Sequence, residues 1–312
     1  MGANYSEIQE LLQQKADIQA RLNLMPYDGN PEIKESNGSK YLYMRKRVAG
    51  KLTSTYVDVY SDELYQLLLR NAKERKDLNK AIRKINKDLA ALGYEDKELS
   101  ARVLQNLDFA RANLKANIYD QAVLEGVATT FPQTEDIIEN GQVHGVSATD
   151  VQKILNLKHA WEFILDKDVI QSESNYHMLC HIAMLVNEGF CYDGGRIRGI
   201  PVQIGGTSYV PPLPIETVVV ERIDEIRSQD KEPIEIAIEL CMYCMKTQVF
   251  KDGNKRASVI FANHYLIAQG MGFLVIPEKD VPEFKKLLVQ YYEGEPLEVI
   301  GAFLKERCWK KF

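Results

Sequence analysis

What the chain lacks narrows the field first. No apolar run reaches the roughly 18–20 residues that cross a bilayer, and no short apolar core follows a basic N-terminus as in a secretory signal. A cytoplasmic protein with no membrane partner is expected. Cysteine is sparse: five residues in 312, an odd number, argue against a disulfide framework and for a reducing compartment. Cys241 and Cys244 form a lone Cys-x-x-Cys within an apolar helical run, with no second pair, and read as core thiols. A strong charge of one sign is also missing, since a net −5 gives no global pull toward nucleic acid or an anionic membrane. Met1-Gly2-Ala3-Asn4-Tyr5-Ser6 fits the N-myristoylation pattern, but so short a match is common by chance and carries no weight.

What is there is enough to build a core. With 45% hydrophobic residues, a chain of this length forms one large or two modest domains. Over residues 6–24, Ile8, Leu11, Leu12, Ile18 and Leu22 recur at helical spacing, and Pro26 with Asp28-Gly29-Asn30 ends the run. Residues 40–60 are rich in Tyr, Val and Thr and are broken at Ala49-Gly50, which predicts a β-hairpin. Ser61 then caps a long charged helix that Gly93 stops. A helical hairpin carrying a β-ribbon is therefore expected over 1–99. Its ribbon holds Arg45, Lys46, Arg47 and Lys51 among tyrosines, a composition that can hold a nucleic-acid backbone. The acidic net balance favours the other reading, a charged edge that serves as a contact arm for a protein partner or a second copy.

Residues 100–126 continue as one predicted helix, and Ser147 or Thr149 caps another that ends near Leu165. A helix over 174–188 places His177 and His181 four residues apart. Without a third ligand nearby they read as packed or hydrogen-bonded histidines. Residues 202–212 hold two short β runs around Gly205-Gly206, a predicted hairpin that Pro211-Pro212 prevents from continuing. Helices over 281–292 and 296–310 close the chain.

The chemistry sits in Gln248-Val249-Phe250-Lys251-Asp252-Gly253-Asn254-Lys255-Arg256, a polar loop between two apolar helical runs. Asp252-Gly253 is a turn dipeptide, and Asn254-Lys255-Arg256 opens the next helix. Free N–H groups of a first helical turn, together with the dipole, suit an anion near Gly253, Asn254 and Lys255, with Asn254 and Arg256 as side-chain donors. Asp252 is placed as a Mg²⁺ ligand and Phe250 as an apolar anchor. An ordinary helix–loop–helix corner is the plain alternative.

The spacing resembles the Fic/Doc family motif, His-x-Phe-x-(Asp/Glu)-Gly-Asn-(Gly/Lys)-Arg. Phe250, Asp252, Gly253, Asn254 and Arg256 match, Lys255 is the variant of the Doc branch, and Gln248 stands where the family has His. The resemblance implies a mainly α, Fic-like helical bundle over 100–312 with a short β-hairpin flap. It also implies binding of ATP or another nucleotide with Mg²⁺, and transfer of AMP to a hydroxyl of a target protein held at the flap, residues Ile204, Gly205, Gly206 and Thr207. The family's His is the general base, and an amide has no titratable lone pair at any working pH, so transfer is expected to be weak or absent. Gln121-Ala-Val-Leu-Glu125-Gly126 is similar to the family's inhibitory segment, with Glu125 and Gly126 matching. The arginine that this glutamate pairs with in the family falls at Val259, which leaves Lys255 or Arg256 as its partner here. The alternatives are a non-catalytic regulatory or toxin–antitoxin binding protein acting through its N-terminal arm, and a Doc-like phosphotransferase.

Overall fold

The structure is a computed structural model that describes residues 2–25, 27–36, 38–48, 51–94, 98–140 and 145–312. Pro26, the ribbon's break at Ala49-Gly50 and the Met1 of the acylation pattern lie outside the described residues, as does the side chain of Lys51. The fold is mainly helical with small antiparallel sheets. It divides into two compact units, 1–96 and 97–312.

The N-terminal unit runs α1 (Gly2–Leu24), β1 (Asn30–Ser36), β2 (Ser39–Val48), β3 (Lys51–Val59) and α2 (Asp62–Ala91). The helices are antiparallel: Leu12 packs on Ile85 and Leu89, while Arg21 further along α1 pairs with Glu74, earlier in α2. Ser61 caps α2 by accepting from the Leu64 amide, and Gly93 takes φ 75° just past its end. The ribbon has one strand more than the sequence predicts. β1 is too polar to announce itself, and its place against β2 follows from Gly29, whose φ of 119° turns the chain inward where a Cβ would strike the Arg45 carbonyl oxygen at 2.5 Å. The sheet order is β1-β2-β3, and Leu42 and Met44 pack beneath it on Leu68.

The second unit comprises α3 (Ala101–Ala112), α4 (Leu114–Leu124), α5 (Phe131–Asn140), α6 (Ala148–Ile164), α7 (Tyr176–Val186), α8 (Glu216–Arg227), α9 (Pro233–Thr247), α10 (Asn254–Ala268), β4 (Phe273–Leu274), α11 (Val281–Tyr292), α12 (Leu297–Phe303) and β5 (Trp309–Lys310). α10 is its axis. Twelve of its 15 residues are buried, and α3, α6, α7 and α9 all pack on it. A helix buried on every side must satisfy its polar groups internally. Asn263 does so with both Leu274 backbone groups, and His264 with the Ser174 hydroxyl and the Val169 carbonyl.

Two predicted helices are shorter than expected. The one over 100–126 breaks at Asn113, whose amide donates to Phe109 O at 2.8 Å, ending α3 where α4 begins. The last helix stops at Phe303, after which a single π turn leads into β5, and β5 pairs antiparallel with β4.

Candidate functional site

The polar loop joins α9 to α10. Gln248 closes α9 in the left-handed region, φ 50° and ψ 61°. Its side chain turns back into the loop: Nε2 donates to Met245 O at 2.7 Å, and Oε1 accepts from Asn254 Nδ2 at 3.1 Å. Asn254 also brackets Phe250, accepting from its amide at 2.9 Å and donating to its carbonyl at 2.8 Å, while the Phe250 ring is buried in the core. Asn254 is thus the staple of the loop, and its amide group is spent on protein atoms.

Gly253 takes φ 73° and starts α10 without a side-chain cap. Among the described residues no protein group accepts from the amides of Asn254, Lys255 or Arg256, so the first turn keeps the free N–H groups that an anion needs. A Cβ on Gly253 would sit 2.6 Å from Asn187 Oδ1. Asn187, fully buried at the end of α7, donates to Asp252 O at 3.0 Å and to Gly194 O at 3.3 Å, and accepts from Arg256 Nη2 at 3.3 Å. No local pattern marks Asn187 in the sequence, because its role exists only once α7 packs beside the loop.

Arg256 faces inward as well. Nη1 donates to Val186 O at 2.7 Å and Nη2 to Asp252 Oδ2 at 3.1 Å. The side-chain donors expected of Asn254 and Arg256 therefore hold the loop itself, and what remains toward an anion is backbone N–H and the Lys255 ammonium. Glu125, at the end of α4 with Gly126 in the left-handed region behind it, lies 3.7 Å from Lys255 Nζ and 3.8 Å from Arg256 Nε. These distances exceed a hydrogen bond, and both Glu125 Oε1 and Arg256 Nε are buried without a hydrogen-bond partner among the described residues. Val259 sits in the apolar core beside Leu124 and takes no part. Gln121 is structural: it accepts from Trp161 Nε1 at 2.8 Å and donates to Arg256 O at 3.0 Å.

The segment over 202–210 forms no strand ladder; the expected hairpin is a turn at Gly205-Gly206 between extended arms. Prolines 201, 211 and 212 remove donors from both arms, and side chains replace the missing ladder. Glu293 accepts from Thr207 Oγ1 at 2.9 Å and from the Ser208 amide at 3.2 Å. Those hydrogen bonds hold its carboxyl below the usual range. Tyr209 stacks on Tyr292, and Arg198, a fully buried guanidinium, donates to Gln248 O at 2.5 Å and Pro212 O at 2.6 Å. Arg198 therefore ties both ends of the segment that carries Ile204, Gly205, Gly206 and Thr207, at Ile200 and Pro212, to the loop. In the sequence it looks like any surface arginine.

Residues 174–266 match the Fic/DOC family model, and residues 5–66 match a domain of unknown function, DUF6788. These matches and those that follow support a Fic-domain protein, with the Fic-type domain over residues 174–266. It is 26% identical over 226 residues to the protein adenylyltransferase Fic of Drosophila willistoni, covering 66% of this chain and 43% of that protein. The corresponding protein of Drosophila persimilis is 26% identical over 231 residues. The chain spans less than half the length of these curated relatives. Its fold is similar to that of Fic-1 from C. elegans, with TM-score 0.54, 20% identity, and coverage of 78% of this chain and 75% of that one. A Fic-domain-containing signalling protein from Bacteroides thetaiotaomicron matches with TM-score 0.54 and 19% identity, over 67% and 85% of the two chains.

Proposed function

We propose that the loop from Gln248 to Arg256 is a site for ATP or another nucleotide with Mg²⁺, of the AMP-transferring type, in which transfer to a target protein is slow or absent. The relatives named protein adenylyltransferase support nucleotide use and a protein substrate. The observation that carries the reading is the Gln248 amide, held between Met245 O and Asn254 at the position where a base is needed. An amide there orients the loop but takes no proton, and losing a general base removes about 10²–10⁴-fold of rate while leaving ground-state binding largely intact.

The uncapped first turn of α10 and the Lys255 ammonium fit an anionic ligand. Asp252, whose side chain is 67% exposed beside them, fits the single carboxylate that a phosphate-bound Mg²⁺ commonly uses. The ion would supply charge neutralisation on the phosphates. Glu125 places its own negative charge against Lys255 and Arg256, where it competes with such a ligand. The turn at Gly205-Gly206 would present the target.

The test uses the purified chain with cell lysate, Mg²⁺ and ATP labelled on either the α- or the γ-phosphate, comparing wild type, Gln248→His and Gln248→His with Glu125→Gly. Histidine tolerates the left-handed backbone better than most residues, so the substitution should fold. AMP adducts that appear with Gln248→His and grow when Glu125 is removed are expected. Transfer of the γ label instead would assign phosphotransfer, and nucleotide binding without adducts in any variant would assign a non-catalytic regulator. Absence of nucleotide binding by calorimetry in all three would sink the site.

A further inference from the structure

The N-terminal sheet has two unlike faces. Leu42 and Met44 point onto α2 and are buried, so by strand alternation Tyr41, Tyr43 and Arg45 point away from it. Cross-strand register adds Lys34, Glu32 and Asn30 from β1, and Val59, Tyr56 and Ser54 from β3. Tyr56 is half exposed, its ring 5.6 Å from Tyr43 and 6.3 Å from Tyr41, and Lys34 lies 4.4 Å over Tyr43. Toward the far end of the strands a cavity of about 470 Å³ opens between Asn30, Glu32, Arg45, Lys46, Arg47 and Leu52. This face is a ridge of phenols flanked by cations.

The acidic balance of the chain does not apply to it. Residues 1–96 carry 16 Lys and Arg against 14 Asp and Glu, whereas the remainder carries 23 against 30. Residues 30–60 carry six against three. Glu32 lies on the solvated face, 3.5 Å from Arg45 and 3.7 Å from Lys34, and accepts from Ser54 at 3.1 Å, while Tyr56 has its pKa raised by desolvation and by the exposed Asp58 carboxylate nearby.

We infer that this face binds duplex DNA, with Arg45, Arg47 and Lys34 on phosphates and the tyrosine ridge toward the groove. Charge complementarity selects a polyanion. Leu52 and Val59 are the aliphatic residues that the register adds there, too few for the apolar centre of a protein–protein contact. Neighbouring strands lie about 4.8 Å apart, so β2 with one neighbour makes the two-stranded ribbon that a major groove about 12 Å wide admits. Tyr43 meets Tyr56 edge to face and carries Lys34 over its ring, which leaves less flat face for unpaired bases to stack on and favours the duplex over a single strand.

The test is fluorescence anisotropy of the full chain with a short mixed-sequence DNA duplex, across salt from low to physiological. Binding that weakens with salt is expected. Arg45→Ala with Arg47→Ala should weaken it about tenfold or more and reduce the log–log salt slope by about two, one per lost phosphate contact. Glu32→Gln should tighten it, and Lys84→Ala on α2 should change nothing. Circular dichroism melts of the variants report whether they fold. No duplex binding at low salt, binding indifferent to Arg45 and Arg47, or tighter binding of the single strand would overturn the inference. So would a change of oligomeric mass in the double variant without DNA binding, which would assign the face to a protein contact.

Discussion

At the scale of single residues, the site depends on groups that the loop keeps for itself. Gly253 and Asn187 show the constraint most sharply: the left-handed backbone and the Asn187 amide 2.6 Å from any added Cβ both exclude a side chain. Gly253→Ala should lower stability by about 1–3 kcal/mol and lower nucleotide affinity, measured by denaturant titration and calorimetry. Gly253 was legible because Asp-Gly is a turn signal, and Phe250 because an apolar residue in a polar loop needs a core. Asn187 and Arg198 were not, since an isolated Asn or Arg carries no pattern until a distant backbone arrives to accept its bonds. His264 supplies the pH dependence. Burial lowers its pKa to about 4, against an ordinary 6.5, while Ser174 and Val169 satisfy the neutral ring. Between these values the unfolded chain binds a proton that the folded chain does not, so stability should rise with pH from about 4 to 6.5. Urea midpoints measured across that range should show the slope, and His264→Gln should flatten it.

At the scale of elements, periodicity located most of the helices, passed over α5 and α8, and missed the break between α3 and α4. α3 and α4 read as one helix in the sequence and part at Asn113, whose side-chain amide donates to Phe109 O. β1 was invisible because its pairing comes from Gly29 and β2 rather than from its own residues. The segment at Gly205-Gly206 looked like a hairpin because Gly-Gly between β-formers is a hairpin signal, yet its arms are held by Glu293, Tyr292 and Arg198 instead of by each other. A turn held by side chains is looser than one held by a ladder, which gives a direct expectation. Glu293→Ala should speed hydrogen exchange and protease cleavage at residues 205–209 without a measurable loss of global stability, because among the described residues the Glu293 carboxylate bonds only to the turn and from the surface. Slowed exchange there, or a large drop in melting temperature, would contradict this account of the turn.

At the scale of the whole chain, two units with separate cores carry opposite charge, and the sequence average hid it. The nucleotide-site reading rests on α9 and α10 in the acidic unit, while the cationic sheet belongs to a unit whose core is Leu12, Ile85 and Leu89 with Leu42, Met44 and Leu68. Cores of that size are sensitive to single truncations. Leu89→Ala removes a buried side chain and should cost about 2–5 kcal/mol, a large part of the roughly 5–15 kcal/mol that holds a domain together. Hydrogen exchange should then quicken across α1, α2 and the sheet, while amides in α9 and α10 keep their protection. If protection were lost in both units together, the two cores would be melting as one cooperative structure, and the charge partition would describe two regions of a single domain rather than two domains.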